Sequence, residues 1–451
     1  MRKILIPILF LVAVAAAWPV YVGVQVENAL REPQTSQLGE FRVHHAIRTY
    51  ERENYRARAS SVLQFRREGT DFELVLDHRI RHRLLGATVK TQLADGRVEQ
   101  GLPPVLEDAI AQAAPRAETW VGLGGGLSSR LSSRPFRLNL GADGLGEEDA
   151  LQLELAAGQG GVSYSPERLL LSFDTESASV TEQKKRLDLG QLHYGLLVHP
   201  GPDGRYGRLP DYDLSFGVGR LRFGDGNVEV LAADKLQLSA WQNSTPQHLD
   251  HVLRMRMERL RSGSLELIAL ESHLNALRWH RPTILRLLDD LQHLPLAAPD
   301  RSAQRGLLVG ALFEGLQQMI AHDPVVFGEL RLNTEPEKRL RMNLDLGLRG
   351  DAQQLATRPL ESLAASLEME LGAELIDEMN AWLQDRALLD DAEVTAFRDW
   401  LEQGTEEQWI RLRNGILSSR LQLEGGRLMV NGRDQTALLL ALVFGAAGGM
   451  F

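Results

Sequence analysis

The chain has 451 residues, of which 43% are hydrophobic and 24% charged, and its formal net charge at pH 7 is -10. This length can bury one large core or two to three ordinary ones, and the composition is that of a folded globular protein. The negative charge argues against nucleic acid as a partner, and the absence of cysteine excludes disulfides, thiolate nucleophiles and cysteine-based metal sites.

The N-terminal segment is basic and then apolar. Arg2 and Lys3 precede 23 uncharged residues from Ile4 to Val26, and a helix of that length would extend roughly 35 Å, enough to cross a bilayer core. We therefore predict a signal anchor or transmembrane helix over residues 1–26, with everything after Glu27 outside the cytoplasm. The predicted membrane contacts are Ile4, Leu5, Leu9, Phe10, Leu11, Val12, Trp18 and Tyr21.

The same segment also fits a secretory signal. Ala15-Ala16-Ala17 matches an A-x-A cleavage site, so removal of the first 17 residues is the alternative. Retention is favoured because the apolar run continues past the alanines to Trp18 and Tyr21, which are typical of a membrane interface.

Alternation of apolar and polar residues with period two dominates the remaining chain. In RLRMNLDLGLR (339–349), leucine and methionine occupy one set of alternate positions and mostly charged or polar residues the other. The pattern recurs at 151–155 and 253–257, and it predicts half-buried strands. Turn residues after Phe223, after Asn333 and before Arg427 predict hairpins between strands.

Helical periodicity enters in the second half. Apolar stripes predict helices over 307–320, 375–383 and 394–401, and Pro282 begins another that runs to about His293. The predicted fold class is α+β: a large antiparallel one-sided β-sheet meander with helices interleaved in the C-terminal half, preceded by the single N-terminal transmembrane helix. The predicted domain 27–451 is β-rich over 40–270 and mixes helices with strands over 271–451.

Short motifs follow one another in a fixed order along the chain. Those in the first 60 residues are Tyr21, Gly23, Glu27 and Leu30 after the apolar segment, then Tyr50, Arg52 and Tyr55 in TYERENYRARASS. Those near the end are Asp323 and Pro324 in HDPVVFGELRL, Asn431 and Gly432 in GGRLMVNG, and the terminal Met450 and Phe451. In this order the motifs resemble the YdgA-like family of bacterial envelope proteins, which carry a domain of unknown function. The resemblance implies a protein of the bacterial inner membrane with the bulk of the chain in the periplasm, and it supplies no catalytic residue.

No pattern in the sequence is specific for catalysis or metal binding. The histidine pairs that could suggest metal ligands are His44/His45, His78/His82, His248/His251 and His273/His280. No H-E-x-x-H signature occurs among them, and we interpret them as structural or solvated. The glycine-rich stretch 122–134 lacks the Gly-Lys-Ser/Thr ending of a phosphate loop, so it predicts a turn or a weak strand.

The sequence therefore predicts a non-enzymatic envelope binding or scaffolding module, without cofactor or metal. A lipid-handling β-groove and a periplasmic hydrolase are the alternatives. The predicted partner is the inner membrane; a lipid, an envelope protein and a second copy of the chain are left open as further partners, and nucleic acid is not expected.

Overall fold

The computed structural model describes most of the chain between residues 34 and 437. The residues in this interval that it does not describe are 39–40, 54, 68–69, 84, 101–103, 123–125, 141–150, 203, 205–208, 227, 293–300, 333–337 and 386–390. The fold is mostly β, a large antiparallel sheet with a few helices, which confirms that part of the prediction. The transmembrane helix predicted over 1–26 lies outside the described residues; none of the helices within them is both long enough and apolar enough to cross a membrane.

The chain divides into two compact units. Unit 1 comprises residues 1–197 and 218–228, and unit 2 comprises residues 198–217 and 229–451. Strands β12 (Lys185–His199) and β13 (Asp211–Asp225) have residues in both units. The single predicted domain 27–451 stays a prediction.

Unit 1 is an antiparallel meander in which strands follow one another in the sheet almost in chain order. Its strands are β1 (Gln34–Leu38), β2 (Phe41–Glu53), β3 (Arg56–Arg67), β4 (Thr70–Arg83), β5 (Gly86–Gln100), β6 (Arg116–Gly122), β7 (Leu127–Ser132), β8 (Phe136–Leu140), β9 (Leu151–Leu155), β10 (Gly158–Ser165) and β11 (Arg168–Glu182). Strands β7 and β8 lie in line and pair with β10 and β9, which also lie in line and both pair with β11. Strands β7 and β8 together therefore act as one long strand with a single interruption, and so do β10 and β9.

One face of the unit 1 sheet forms its core. Ala57, Ala59, Ile80, Ala87 and Val89 are buried together on strands β3, β4 and β5, and Ile47 and Tyr50 of β2 pack against them. The single helix described in this unit, α1 (Pro104–Ala113), was not predicted, although apolar residues recur at helical spacing in its sequence: Val105, Leu106, Ala109, Ile110 and Ala113.

Unit 2 contains a second antiparallel ladder with helices between its strands. Its strands are β14 (Val228–Ser244, all but its first residue), β15 (His248–Ser262), β16 (Leu265–His280), β17 (Val325–Leu332), β18 (Leu340–Leu348), β19 (Leu363–Gly372), β20 (Arg411–Arg413), β21 (Ile416–Glu424), β22 (Arg427–Val430) and β23 (Arg433–Asp434). Its helices are α2 (Arg281–Gln292), α3 (Arg301–Met319), α4 (Ala352–Thr357), α5 (Pro359–Ser362), α6 (Ala373–Asp385) and α7 (Asp391–Glu406), with a 3-10 turn at Ile320–His322. Strands β14 to β19 pair in chain order, β21 joins β19, and β21 carries β20 and β22 on its other edge.

Most predicted elements of unit 2 are confirmed. The alternating stretch 339–349 forms β18, and the predicted helices correspond to α2, α3, α6 and α7. The turn predicted before Arg427 joins β21 to β22, whereas the one after Asn333 falls outside the described residues. Helix α6 packs on β16 and β19 and buries Leu375 and Ile376, and its Trp382 Nε1 donates to Ser262 Oγ at 3.1 Å.

Candidate functional site

Two neighbouring strands of unit 1 carry arginine at alternate positions. Strand β3 begins Arg56-Ala57-Arg58-Ala59, and β4 contains Arg79-Ile80-Arg81. Alternate side chains of a strand point to opposite faces, so burial of the alanines and Ile80 in the core leaves all four arginines exposed on the other face.

The register between the two strands brings like charges together. Arg56 pairs with Arg81 and Arg58 pairs with Arg79, while Arg79 also lies opposite Lys90 on β5. Side chains directly opposite each other have Cβ atoms about 5 Å apart, and like charges in such pairs are destabilising. In the described part of the chain, none of these four arginine side chains forms a hydrogen bond or an ion pair. The sheet therefore holds four guanidinium groups side by side, none of them in an ion pair within the described chain.

The positive surface continues across β6 and β7. We call its seven members the arginine face: Arg56, Arg58, Arg79, Arg81, Lys90, Arg116 and Arg130. They line two adjoining concavities of about 740 and 660 Å³, which share Asp77, Arg79 and Gln92. The carboxylates that line the same concavities are Glu51, Glu53, Asp77, Glu118 and Asp174. Seven cations against five carboxylates leave two positive charges, on a chain whose formal net charge is -10.

Only part of this surface is neutralised locally. Lys90 Nζ lies 3.5 Å from a Glu118 carboxylate oxygen, and both side chains are more than half exposed. Glu51 and Glu53 lie opposite Arg58 and Arg56, but within the described chain neither carboxylate reaches ion-pairing distance. Serines of β7, β10 and β11 that line the larger concavity add hydroxyl donors: Ser128, Ser132, Ser163 and Ser172. The site can therefore offer charge-assisted and neutral hydrogen bonds to an anion.

A buried histidine ties the strands together behind the arginine face. His78 lies on the core face of β4, with Nε2 2.7 Å from Ser61 Oγ on β3 and Nδ1 2.9 Å from Thr91 Oγ1 on β5. Burial, with a smaller contribution from the nearby His45, lowers the pKa of His78 to about 4. The neutral ring thus bridges the three strands that carry the opposed cations.

Another group of histidines comes together in unit 2. The ring centroids of His280 and His322 are 3.9 Å apart and stacked, and His248 meets His322 edge-on at 5.4 Å. Burial lowers the pKa of His280, with further contributions from His322 and His248. The sequence offered only pairs of nearby histidines, whereas the register of β15 with β16 places His248 opposite His280. Among the residues that the structure describes, no group of His, Asp and Glu is arranged to hold a metal ion.

A histidine–carboxylate pair lies at the edge of the arginine face. His193 Nδ1 of β12 is 2.6 Å from Asp174 Oδ1 of β11, and both side chains are more than half exposed. No hydroxyl group of the described chain forms a hydrogen bond with the other ring nitrogen of His193. The pair therefore lacks the third member of a nucleophilic triad.

The motif residues that suggested the family resemblance are distributed over both units. Tyr50 and Arg52 lie on β2, Tyr55 lies in the following turn, and Asp323 has a positive φ of 49° where the 3-10 turn passes to Pro324. The motif residues outside the described part of the chain are Tyr21, Gly23, Glu27, Leu30, Met450 and Phe451. The remaining predicted membrane contacts lie outside it as well: Ile4, Leu5, Leu9, Phe10, Leu11, Val12 and Trp18.

Asn431 shows what such a motif residue does. Its Nδ2 donates to the carbonyl oxygens of Gln408 at 3.0 Å and Trp409 at 2.8 Å, and its Oδ1 accepts from the backbone N–H of Arg420 at 3.0 Å. Its φ of 51° is tolerated by asparagine better than by most residues, and Gly432 follows it with φ of 83°. This motif therefore fixes a turn in unit 2 and does not contribute to the arginine face.

The arginine face was not predicted, although a signal for it is present. The runs RARA and RIR show that arginine occupies alternate positions, and therefore one side, of each strand. Only the register between the strands shows that the two runs of arginine meet. Shifting a strand by one residue would turn its arginines to the other face.

Comparison with known proteins gives a family but no activity. Neither the curated proteins nor the solved structures contain a match to this chain. The narrower resemblance to YdgA-like proteins stays a prediction. The chain belongs to the family described as "Bacterial protein of unknown function (DUF945)", whose sequence model matches residues 1–436.

Proposed function

We propose that this chain is a non-enzymatic binding module of the bacterial envelope and that its arginine face binds an anionic ligand. In this proposal, residues 1–26 hold the chain in the inner membrane and the rest lies in the periplasm. The observation that carries the proposal is the pairing of Arg56 with Arg81 and of Arg58 with Arg79, without neutralising contacts in the described chain.

The arginine–arginine pairs cost stability, which Glu51 and Glu53 opposite Arg58 and Arg56 offset only in part because they form no ion pair with them in the described chain, and a bound anion would supply further negative charge. Adjacent guanidinium groups repel each other, but each can donate two parallel hydrogen bonds to a phosphate, sulfate or carboxylate group. Neighbouring strands are about 4.8 Å apart and alternate residues along a strand about 6.6 Å apart. The face therefore suits a ligand that carries several anionic groups at comparable spacing.

A hydrolase is less well supported by the same region. The His193–Asp174 pair is exposed to solvent, and the described chain provides no hydroxyl bonded to it. Covalent catalysis of acyl transfer by serine or threonine depends on a hydroxyl group within hydrogen-bonding reach of the base. Binding requires only the cations that are already in place.

The proposal can be tested by calorimetric titration of the full-length protein with tripolyphosphate at low salt. We expect the double variant Arg58→Gln/Arg79→Gln to bind at least about tenfold more weakly, because hydrogen bonds to charged groups typically contribute 1.5–3 kcal/mol each. The affinity of the wild-type protein should fall as salt is added, since exposed charges are screened.

The double variant Arg256→Gln/Arg420→Gln is the matched control. It removes the same charge from exposed strand positions of unit 2, where Arg256 is paired with Glu271 at 3.3 Å and Arg420 with Glu368 at 3.0 Å. We expect it to bind as the wild type does. If both double variants weaken binding equally, or if the wild-type protein does not bind, the arginine face is not an anion site.

A further inference from the structure

Several hairpins of unit 1 turn at the same end of its sheet. Consecutive antiparallel strands reverse direction, so the turns after Glu53, Arg83, Gly122 and Ser165 all lie at one end, which we call the tip end. A backbone hydrogen bond of 2.9 Å from His82 N–H to the Tyr55 carbonyl oxygen links two of these hairpins.

The tip end exposes large apolar side chains. Tyr55 is 50% exposed, Leu85 is 68% exposed and Trp120 is 43% exposed. Gly122 makes room for the Trp120 ring: a Cβ atom at this glycine would lie 2.6 Å from the ring atoms Cη2 and Cζ3. The indole therefore lies along the backbone beside the turn, where a side chain at position 122 would displace it.

Cations lie directly behind these apolar side chains. Arg56 follows Tyr55 in the chain and pairs with Arg81, and the same row across the sheet continues through Thr88 to Trp120. Arg56 and Arg81 thus share a sheet face and a level with the indole ring. An aromatic and aliphatic rim backed by arginine matches the chemistry of the membrane interface, where rings lie at the headgroup level and cations meet lipid phosphates.

We propose that the tip end of unit 1 docks on an anionic phospholipid surface, with Tyr55, Leu85 and Trp120 at the headgroup level and Arg56 and Arg81 on the phosphates. This inference rests on the proposed function, because it names lipid phosphate as the anion that reaches this part of the arginine face. Charge complementarity favours a membrane that contains acidic lipids over a neutral one. The contact is separate from the predicted anchor at residues 1–26.

The absence of cysteine allows a direct test. A single Leu85→Cys substitution gives the full-length protein a unique thiol for an environment-sensitive fluorophore, and Val228→Cys gives a matched control. Val228 is 66% exposed, against 68% for Leu85, and it lies at the opposite end of the unit 1 sheet, where Gly226 N–H donates to the Lys184 carbonyl oxygen of the next turn. Both labelled proteins are mixed with vesicles that carry a quencher on the lipid chains near the headgroup.

With phosphatidylethanolamine and phosphatidylglycerol vesicles, we expect the Leu85→Cys label to be quenched severalfold more than the Val228→Cys label. Quenching should fall in phosphatidylcholine vesicles and in the Arg56→Gln/Arg81→Gln background, whose folding is checked by circular dichroism. Equal quenching at both positions, or quenching that does not depend on acidic lipid or on these arginines, overturns the docking proposal.

Tripolyphosphate titration of the same labelled proteins separates this inference from the proposed function. If the Leu85→Cys label is not quenched but tripolyphosphate still binds, the arginine face binds soluble anions and the docking proposal is wrong. If neither is observed, both proposals are wrong.

Discussion

The arginines of β3 and β4 in unit 1 and the ion-paired arginines of unit 2 differ in the charges that lie beside them. In unit 2, cations lie beside carboxylates: Arg256 beside Glu271, Arg259 beside Glu266 and Arg420 beside Glu368, with N–O distances of 3.0 to 3.3 Å. In unit 1, arginine lies opposite arginine on β3 and β4. Opposite charges across strands stabilise a sheet and like charges destabilise it. Unit 2 also places Arg331 opposite Arg341, but Arg331 forms an ion pair with Glu329. The arginines of β3 and β4 have no such partner in the described chain, a departure from the rule that is typical of functional sites.

The largest expected effect is a loss of stability of unit 1 at low pH, caused by His78 behind the arginine face. Burial keeps the folded-state pKa of His78 at about 4, whereas an unfolded chain protonates histidine near pH 6.5. The unfolded state therefore binds the proton first, and the stability contributed by the neutral ring is present above about pH 6.5 and is lost as the pH falls towards 4. The loss is about 3 kcal/mol at most.

This pH dependence can be measured by hydrogen exchange of peptides from β3, β4 and β5 at pH values across that window. His78→Gln should flatten the dependence, while His193→Gln, at an exposed position, should leave it unchanged. The quantity to compare is the slope of hydrogen-exchange protection against pH. Its absolute level is unsuitable because the glutamine variant also loses the contacts to Ser61 and Thr91. An identical slope in the wild type and His78→Gln would contradict the prediction.

An intermediate effect is expected when the unit 1 face is given the charge pattern of unit 2. Arg79→Glu replaces two repulsive cross-strand pairs, with Arg58 and with Lys90, by two attractive ones. We expect the free energy of unfolding to rise by about 1 kcal/mol at low salt and tripolyphosphate binding to weaken. Chemical denaturation at low and high salt checks this, since screening should remove the gain. A loss of stability at low salt would mean that the arginines are not in repulsive contact.

The smallest effect is expected when a pair is broken in unit 2. Glu368→Gln removes the partner of Arg420, and both side chains are about half exposed. Exposed ion pairs contribute little, so the free energy of unfolding should fall by about 0.5 kcal/mol and the difference should vanish at high salt. Chemical denaturation in the same two buffers measures it. A loss of several kcal/mol would show that unit 2 depends on its charges far more than an exposed pair can explain.

Burial of one face imposes a period of two on the sequence of a strand and a period of about 3.6 on that of a helix. These local patterns predicted strands and the large helices. The stretch 339–349 forms β18 as its alternation indicates, and the stripe over 375–383 forms part of α6. Helix α1 was missed although its apolar residues recur at helical spacing, because the pattern extends over only 10 residues. The arginine face and the contact of His248 with His322 were missed for a different reason. Both depend on which residues meet across strands or across turns, and a one-dimensional pattern does not carry that information.

The meander of unit 1 has a consequence for how the chain folds. From β1 to β7, each strand pairs with the strand that precedes it in the chain. Most of these connections are short turns, so the entropy lost in closing each loop is small and contact order is low for a β protein. Each completed hairpin then offers an open edge to the next segment. A chain that emerges with its N-terminus first can therefore assemble this unit strand by strand, before the residues of α2 to α7 have appeared.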